Sequence, residues 1–423
     1  MSPLPRHLLP QTAQVVDGLL EIGGCSALEL AERFGTPVFV YDELHLRERC
    51  RELLAAFGDG ATYASKAFLC SAMARLVHEE GLRIDVATGG ELHVALSAGV
   101  PGERIVLHGN NKSEAELGMA MAAGVGRIVV DSDEEIGRIE RLVASEGFDP
   151  PRVLARVTPG VEAHTHEYVM TGQDDTKFGF GLASGAAAAA VERMARSAAL
   201  DLVGVHAHIG SNIFLLSGYE KAIERLAPFV LSLDLPELCL GGGLGVAYVE
   251  GEETPPIAEW AGLLKRNCAE AGITSRLVVE PGRAIVAAAA VTLYRVGTIK
   301  VLPGIRTYVA VDGGMSDNPR PVLYGSGYEA FLPREVDAER ELVATVVGKH
   351  CESGDIVVRD ATLPADLTVG DVLATPVTGA YGHSMASNYN KVPRPPVVFV
   401  GDGEARVVVR RETLDDLLWL DLD

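Results

Sequence analysis

Between residues 60 and 283 the chain alternates short apolar runs with longer segments of helical periodicity. The apolar runs at 62–65, 84–87, 105–108, 128–131, 153–157, 203–208, 238–240 and 277–280 predict strands. The Ala-, Leu- and Glu-rich segments at 69–80, 113–123, 133–146, 185–198, 217–232 and 257–271 predict helices between them. Eight strands, each followed by a helix or loop, predict a (β/α)8 TIM-like barrel. A doubly wound sheet shares the local pattern. Eight repeats over roughly 220 residues favour the barrel, which has about that size.

After Arg283 the texture changes. The runs 308–312, 341–347, 355–358 and 397–400 predict strands with no helix between them, and Gly401-Asp402-Gly403 predicts a hairpin turn. Residues 413–420 predict a short closing helix. The expected organisation is a barrel domain over 38–284 and an all-β domain built from 1–37 plus 285–423.

Composition narrows the function. The 423 residues suit two domains, and 48% hydrophobic content is ample for a core. A formal net charge of -21 opposes binding to nucleic acid or to an anionic membrane surface. Cys25, Cys50, Cys70, Cys239, Cys268 and Cys351 form no CxxC pair and no zinc-like cluster. They read as reduced thiols of a cytoplasmic protein. The first eleven residues carry no apolar signal core, and no apolar run is long enough to span a bilayer.

The strand ends carry the candidate chemistry. Lys66 follows the first run, Asp85 lies in the second and His108 ends the third. His208 ends the sixth, the glycine-rich run 241–245 ends the seventh and Glu280 ends the eighth. In barrels the C-terminal strand ends form the active-site face. A lone lysine is usually a solvated surface group, but at a barrel rim partial desolvation lowers its pKa and frees the amine to carry a carbonyl cofactor such as pyridoxal phosphate. The glycines at 241–245 either let backbone N–H groups cradle a phosphate or simply close a tight strand–helix turn. Arg283 adds a cation and Ser211 a hydroxyl. Glu280 suits pairing with a protonated pyridine nitrogen, or equally an ion pair with Arg283. His206 and His208, two apart in a strand, are expected on one face. They offer a metal pair with no third ligand at useful spacing, and His164 and His166 raise the same question, so a metal is disfavoured in both places. His208 is either a satisfied core histidine or a ring stacked on a flat cofactor.

These residues lie in motifs of a known family. The chain resembles the fold-type III pyridoxal-phosphate decarboxylases, and within them the diaminopimelate decarboxylase branch, from about residue 35 to the C-terminus. The resemblance rests on YASKAFL (63–69), HGNNKS (108–113), HEYVMTGQDDTKFGF (166–180), HIGS (208–211) and GGGLG (241–245). It continues through EPGR (280–283), VDGGMSDNPRPVLY (311–324), CESGD (351–355) and GAYGHSMASNYN (379–390). Nine motifs in order are very specific. Thr88, Asn212 and His383 depart from the usual pattern at positions outside the proposed contacts.

The resemblance implies a barrel of the alanine-racemase type with a β domain, pyridoxal 5'-phosphate as cofactor, and a homodimer with shared active sites. It implies that Lys66 holds the cofactor covalently, that His208 stacks on its ring and that Glu280 partners its ring nitrogen. Ser211, Gly243, Gly282, Arg283 and Tyr381 resemble the phosphate cradle. Arg283, Arg320 and Tyr324, with Tyr381, resemble the residues that bind substrate and its distal carboxylate, and Glu352 the one that receives the distal amine. Cys351 resembles the acid that protonates the α-carbon, entering with Glu352 from the other subunit. Without the resemblance Arg320 reads as a loop arginine, Tyr324 and Tyr381 as core aromatics, and Cys351 as an inert thiol. Asp85 and His108 stay unassigned. The implied reaction turns meso-2,6-diaminopimelate into L-lysine and CO2, the last step of lysine biosynthesis. The rivals are a decarboxylase of ornithine, arginine or a carrier-bound amino acid, a racemase, and a non-catalytic cofactor-binding protein. A two-ended substrate favours diaminopimelate, since ornithine lacks the distal carboxylate and leaves the charge of an arginine there unpaired.

Overall fold

A computed structural model describes residues 4–161 and 175–422. The chain divides into two compact units. One comprises Arg49–Gly245 and Thr254–Ala284; the other comprises Met1–Glu48, Val246–Glu253 and Ile285–Asp423.

The first unit is the barrel. Its strands are Thr62–Ala64, Arg83–Val86, Ile105–Leu107, Arg127–Val130, Arg152–Thr158, Asp201–His206, Glu237–Cys239 and Arg276–Val278. Each pairs in parallel with the next in chain order. The eighth returns to the first through the parallel bridge Ala61–Val279, with Thr62 N donating to Val279 O at 3.0 Å and Val279 N to Gly60 O at 3.0 Å. Glycine is required at this seam: a Cβ on Gly60 stands 2.1 Å from Leu277 O. Val106, Val129, Leu154, Cys239 and Val278 fill the interior.

Local sequence explains where the helices start. Ser113 and Glu116 form a reciprocal capping box ahead of Glu114–Ala122. Ser132 caps Asp133–Glu146, whose end is marked by Gly147 at φ +72°. Thr88 caps Gly89–Ser97 through Glu91 N, so this departure from the family pattern has a structural use. Lys112 of the HGNNKS motif is 2% exposed. Its ammonium meets Glu135 at 2.8 Å and the carbonyls of Gly109 and Val129 at 2.5 and 2.8 Å. Such a buried charge is retained only where its donors are satisfied.

The second unit is β-rich. Its main sheet runs in the order Ile356–Leu363, Leu342–Val347, Arg306–Val311, Ala290–Leu302, Val38–Asp42, Val397–Gly401 and Glu404–Val409, with Val372–Pro376 also paired to Ala290–Leu302. The hairpin at 401–403 forms as expected. Asp402 (φ 51°) and Gly403 (φ 76°) take the two positive-φ positions of its two-residue turn. Three differences stand out. The 13-residue strand Ala290–Leu302 was not anticipated, because its Ala-rich entry carries no alternation. Val38–Asp42, the expected edge of the barrel domain, pairs in this sheet with every residue buried. A continuous apolar strand carries no mark of which sheet it joins. Residues 413–420 hold only the 3-10 turn Asp415–Leu418. Among the described residues no helix is long and apolar enough to cross a membrane.

Candidate active site

The polar residues of the barrel gather where its strands end. Glu280 lies two residues beyond the eighth strand, buried. Its Oε1 stands 2.9 Å from His108 Nε2 and its Oε2 3.0 Å from His206 Nε2. His108 and His206 meet edge to face with ring centroids 4.9 Å apart. Asp85 Oδ2 is 3.9 Å from His108 Nε2.

The charge states follow from this geometry. Burial opposes ionisation of Glu280, but His108 and His206 outweigh it and hold the carboxyl well below its usual range. Burial likewise opposes charge on His108, and Glu280 and Asp85 overcome it, raising its pKa. His206 goes the other way: burial pushes it down to about 4. Asp85 is pushed up to about 6 by burial, with His108 acting against the rise. The network thus joins a histidine biased toward its protonated form, a histidine held neutral and a carboxylate held ionised. An ionised carboxylate only accepts, so each imidazole presents an N–H at Nε2. His206 Nδ1 has no hydrogen-bond partner among the described residues, as suits the unprotonated nitrogen of that tautomer.

One histidine expectation changes. His206 and His208 do not act as a pair on one strand face, since the strand ends at His206. His208 lies past it, and its Nδ1 accepts from Gly242 N at 3.2 Å. Burial first, then the charges of Lys66 and Arg156, hold His208 well below the usual histidine range. Among the described residues the groups whose ligand atoms converge within 4.8 Å are His108, His206 and Glu280, already engaged with one another. His164 and His166 lie outside the described residues.

Lys66 sits in the 3-10 turn Ser65–Ala67 directly after the first strand. Its side chain is exposed, which corrects the expectation of a desolvated lysine. Its charge acts on Asp85 and His208. Arg283 Nη2 donates to Ser211 Oγ at 2.9 Å, and Arg283 is buried. The ion pair weighed between Glu280 and Arg283 is replaced by these contacts. Gly243 (φ +104°) admits no side chain: its Cβ stands 2.4 Å from Gly210 O. At Gly282 a Cβ stands 2.7 Å from Ala64 O. Asn212, beside Ser211, takes φ 59°, which asparagine tolerates better than most residues.

Lys66, Asp85, His108, His206, His208, Ser211, Gly243, Glu280, Gly282 and Arg283 thus belong to one unit. The other candidates lie in the β-rich unit. Arg320 opens the helix Arg320–Tyr324 and is 4% exposed, not a surface loop residue. Its Nη1 donates to Tyr328 Oη at 2.6 Å, and its guanidinium stacks 4.2 Å from the Tyr248 ring. Tyr324 ends the same helix, half-buried. Cys351 and Glu352 are exposed; Cys351 N donates to Asn390 Oδ1 at 3.0 Å. Asp355 braces their loop by accepting from His350 N and Met315 N at 2.8 and 2.6 Å. Tyr381 adopts φ 58°.

Sequence reasoning missed the link from Glu280 to two imidazoles, and missed Arg156, Tyr248 and Tyr328. Arg156 had a signal, a cation inside the apolar run ARVT. It is buried and pairs with Asp131 at 3.1 Å.

Residues 43–287 match the family "Pyridoxal-dependent decarboxylase, pyridoxal binding domain". The chain is 50% identical to diaminopimelate decarboxylase of Mycobacterium tuberculosis (strain H37Rv), over 98% of this chain and 99% of that one. It is 47% identical to diaminopimelate decarboxylase of Bacillus subtilis, over 96% and 95%. A diaminopimelate decarboxylase from M. jannaschii, solved with L-lysine, superposes with a TM-score of 0.91 at 33% identity, covering 98% of each chain.

The barrel residues suit pyridoxal phosphate. Gly243 and Gly282 leave no room for a Cβ and so expose backbone to a close-approaching group. The Arg283–Ser211 pair supplies an anion-binding cation and hydroxyl. Glu280 is held in the anionic form that a protonated ring nitrogen needs.

Proposed function

This chain belongs to the diaminopimelate decarboxylase branch of the pyridoxal-dependent decarboxylases, and we propose that it converts meso-2,6-diaminopimelate into L-lysine and CO2. The whole-length identity to diaminopimelate decarboxylases carries this reading. Pyridoxal 5'-phosphate, when bound, supplies an electron sink for the pair left as the carboxylate departs. Lys66 would hold it covalently through Nζ. Ser211, Gly243, Gly282, Arg283 and Tyr381 would hold its phosphate, His208 would lie against its ring, and Glu280 would pair with the ring nitrogen. Arg283, Arg320, Tyr324 and Tyr381 grip the substrate, with Arg320 on the distal carboxylate and Glu352 on the distal ammonium. The Cα–carboxylate bond breaks, CO2 leaves, and Cys351 Sγ delivers a proton to the α-carbon. The motif matches and the buried guanidinium of Arg320, which meets no carboxylate among the described residues, support these assignments.

The active unit in this reading is a homodimer in the cytoplasm, in which Cys351 and Glu352 serve the other subunit's site. Their exposure in a braced loop and the six cysteines remaining as thiols support it. Mixing tests it. Lys66→Ala and Cys351→Ala proteins, each inactive alone, regain up to about a quarter of wild-type activity when combined under subunit exchange, because a random mixture makes one intact site in each mixed dimer. No recovery, with exchange verified by mass, refutes the shared site.

A further inference from the structure

Arg320 is a buried cation, and among the described residues no carboxylate pairs with it and its Nε has no hydrogen-bond partner. Two tyrosines surround it instead. The guanidinium carbon lies 4.2 Å from the Tyr248 ring centroid and 5.5 Å from that of Tyr328. The two rings meet edge to face at 5.3 Å. A desolvated guanidinium over an aromatic face is attracted by the ring quadrupole, which offsets part of its burial cost. Tyr328 Oη accepts from Nη1, fixing the rotation of the planar fork.

The tyrosines come from distant parts of the chain and are fastened together. Tyr248 lies in Val246–Glu253, which directly continues the glycine-rich run 241–245 yet belongs to the β-rich unit. Arg340, 3% exposed, bridges Glu250 at 3.2 Å and Glu329 at 3.1 Å. Glu250 N also donates to Glu329 Oε1 at 3.1 Å, and Tyr248 N to Glu252 Oε2 at 2.7 Å. Glu329 follows Tyr328, so this bridge sets both tyrosines against Arg320.

We infer that Tyr248 and Tyr328, joined by the Glu250–Arg340–Glu329 bridge, are positioning residues that aim Arg320 at a carboxylate and so set the preference for a dicarboxylate amino acid. The inference rests on the reading of Arg320 as the distal-carboxylate grip. Aromatic stacking and one charge-assisted hydrogen bond preorganise the fork, and the incoming carboxylate completes its pairing.

Steady-state kinetics on holoenzyme test this with Tyr248→Leu, Tyr328→Phe and Arg320→Leu, beside direct titration of cadaverine, the diamine that carries neither carboxylate. Tyr248→Leu raises KM for meso-diaminopimelate about tenfold and Tyr328→Phe about fivefold, with kcat within about threefold and the Kd of cadaverine within about twofold. Adding Tyr248→Leu to Arg320→Leu changes KM no further, because the tyrosine acts only through the arginine. Weakening of cadaverine binding in step with KM overturns the inference and makes the tyrosines merely structural. Tyr328→Phe, which removes one oxygen atom, keeps the test open where Tyr248→Leu does not fold. If Arg320→Leu raises KM and neither tyrosine variant does, the inference alone fails. If Arg320→Leu leaves KM unchanged, the carboxylate-grip reading fails with it.

Discussion

Lys66→Ala lowers kcat/KM for meso-diaminopimelate by on the order of 10³–10⁴-fold or more, since it removes the one amine assigned to hold the cofactor covalently. The fold survives. Lys66 is an exposed side chain on a one-turn 3-10 segment, and the backbone around it is fixed by the barrel seam, with Ala64 N donating to Pro281 O at 3.3 Å. Surface truncations of this kind stay within about 0.5 kcal/mol. Thermal melting of the two proteins therefore coincides, while borohydride reduction followed by mass analysis finds the cofactor attached to wild type alone. A variant within tenfold of wild type contradicts the assignment of Lys66.

Glu280→Gln has the second largest effect. The amide keeps the shape and removes the anion, so the ring nitrogen loses its carboxylate partner. We expect kcat to fall about 10²–10³-fold, the range typical of losing one preorganised electrostatic contact, with cofactor affinity within about tenfold. The variant also carries a pH signature. The Glu280 pKa is lowered in the fold, so its contribution to stability is fully present above its ordinary value of 4.5 and is lost as pH falls through the lowered one. The His108 pKa is raised, so its contribution is fully present below 6.5 and is lost as pH rises through the raised one. The stability advantage of wild type over Glu280→Gln is therefore greatest between pH 4.5 and 6.5 and shrinks on either side. Melting curves across pH 3–9 measure it, and a difference that does not vary with pH contradicts the imidazolium–carboxylate pair.

The legible parts of this molecule are those written in local pattern. The helix expected at 133–146 forms at Asp133–Glu146, because a Ser cap, an acidic first turn and a terminal Gly all agree. The barrel was legible because each parallel strand is a short apolar run between helices. Gly89–Ser97 was missed because its Gly-Gly start lowers helix propensity, while the Thr88 cap that rescues it is a single residue. In the site, a charged residue just after an apolar run marked Lys66, His108 and Glu280. Their connection was not legible. Residues 108, 206 and 280 meet only because a closed barrel brings its third, sixth and eighth strand ends together. Tyr248 and Tyr328 are ordinary tyrosines in sequence, and only long-range packing places them on Arg320.

The most direct test of the central claim is a product assay on purified protein loaded with pyridoxal phosphate, offered meso-diaminopimelate, L-ornithine, L-arginine and L-lysine separately. Equimolar L-lysine and CO2 from meso-diaminopimelate, and no CO2 from the other three, is the predicted result. Release of CO2 from L-ornithine or L-arginine in place of meso-diaminopimelate contradicts the account and removes Arg320 and Glu352 from its substrate contacts.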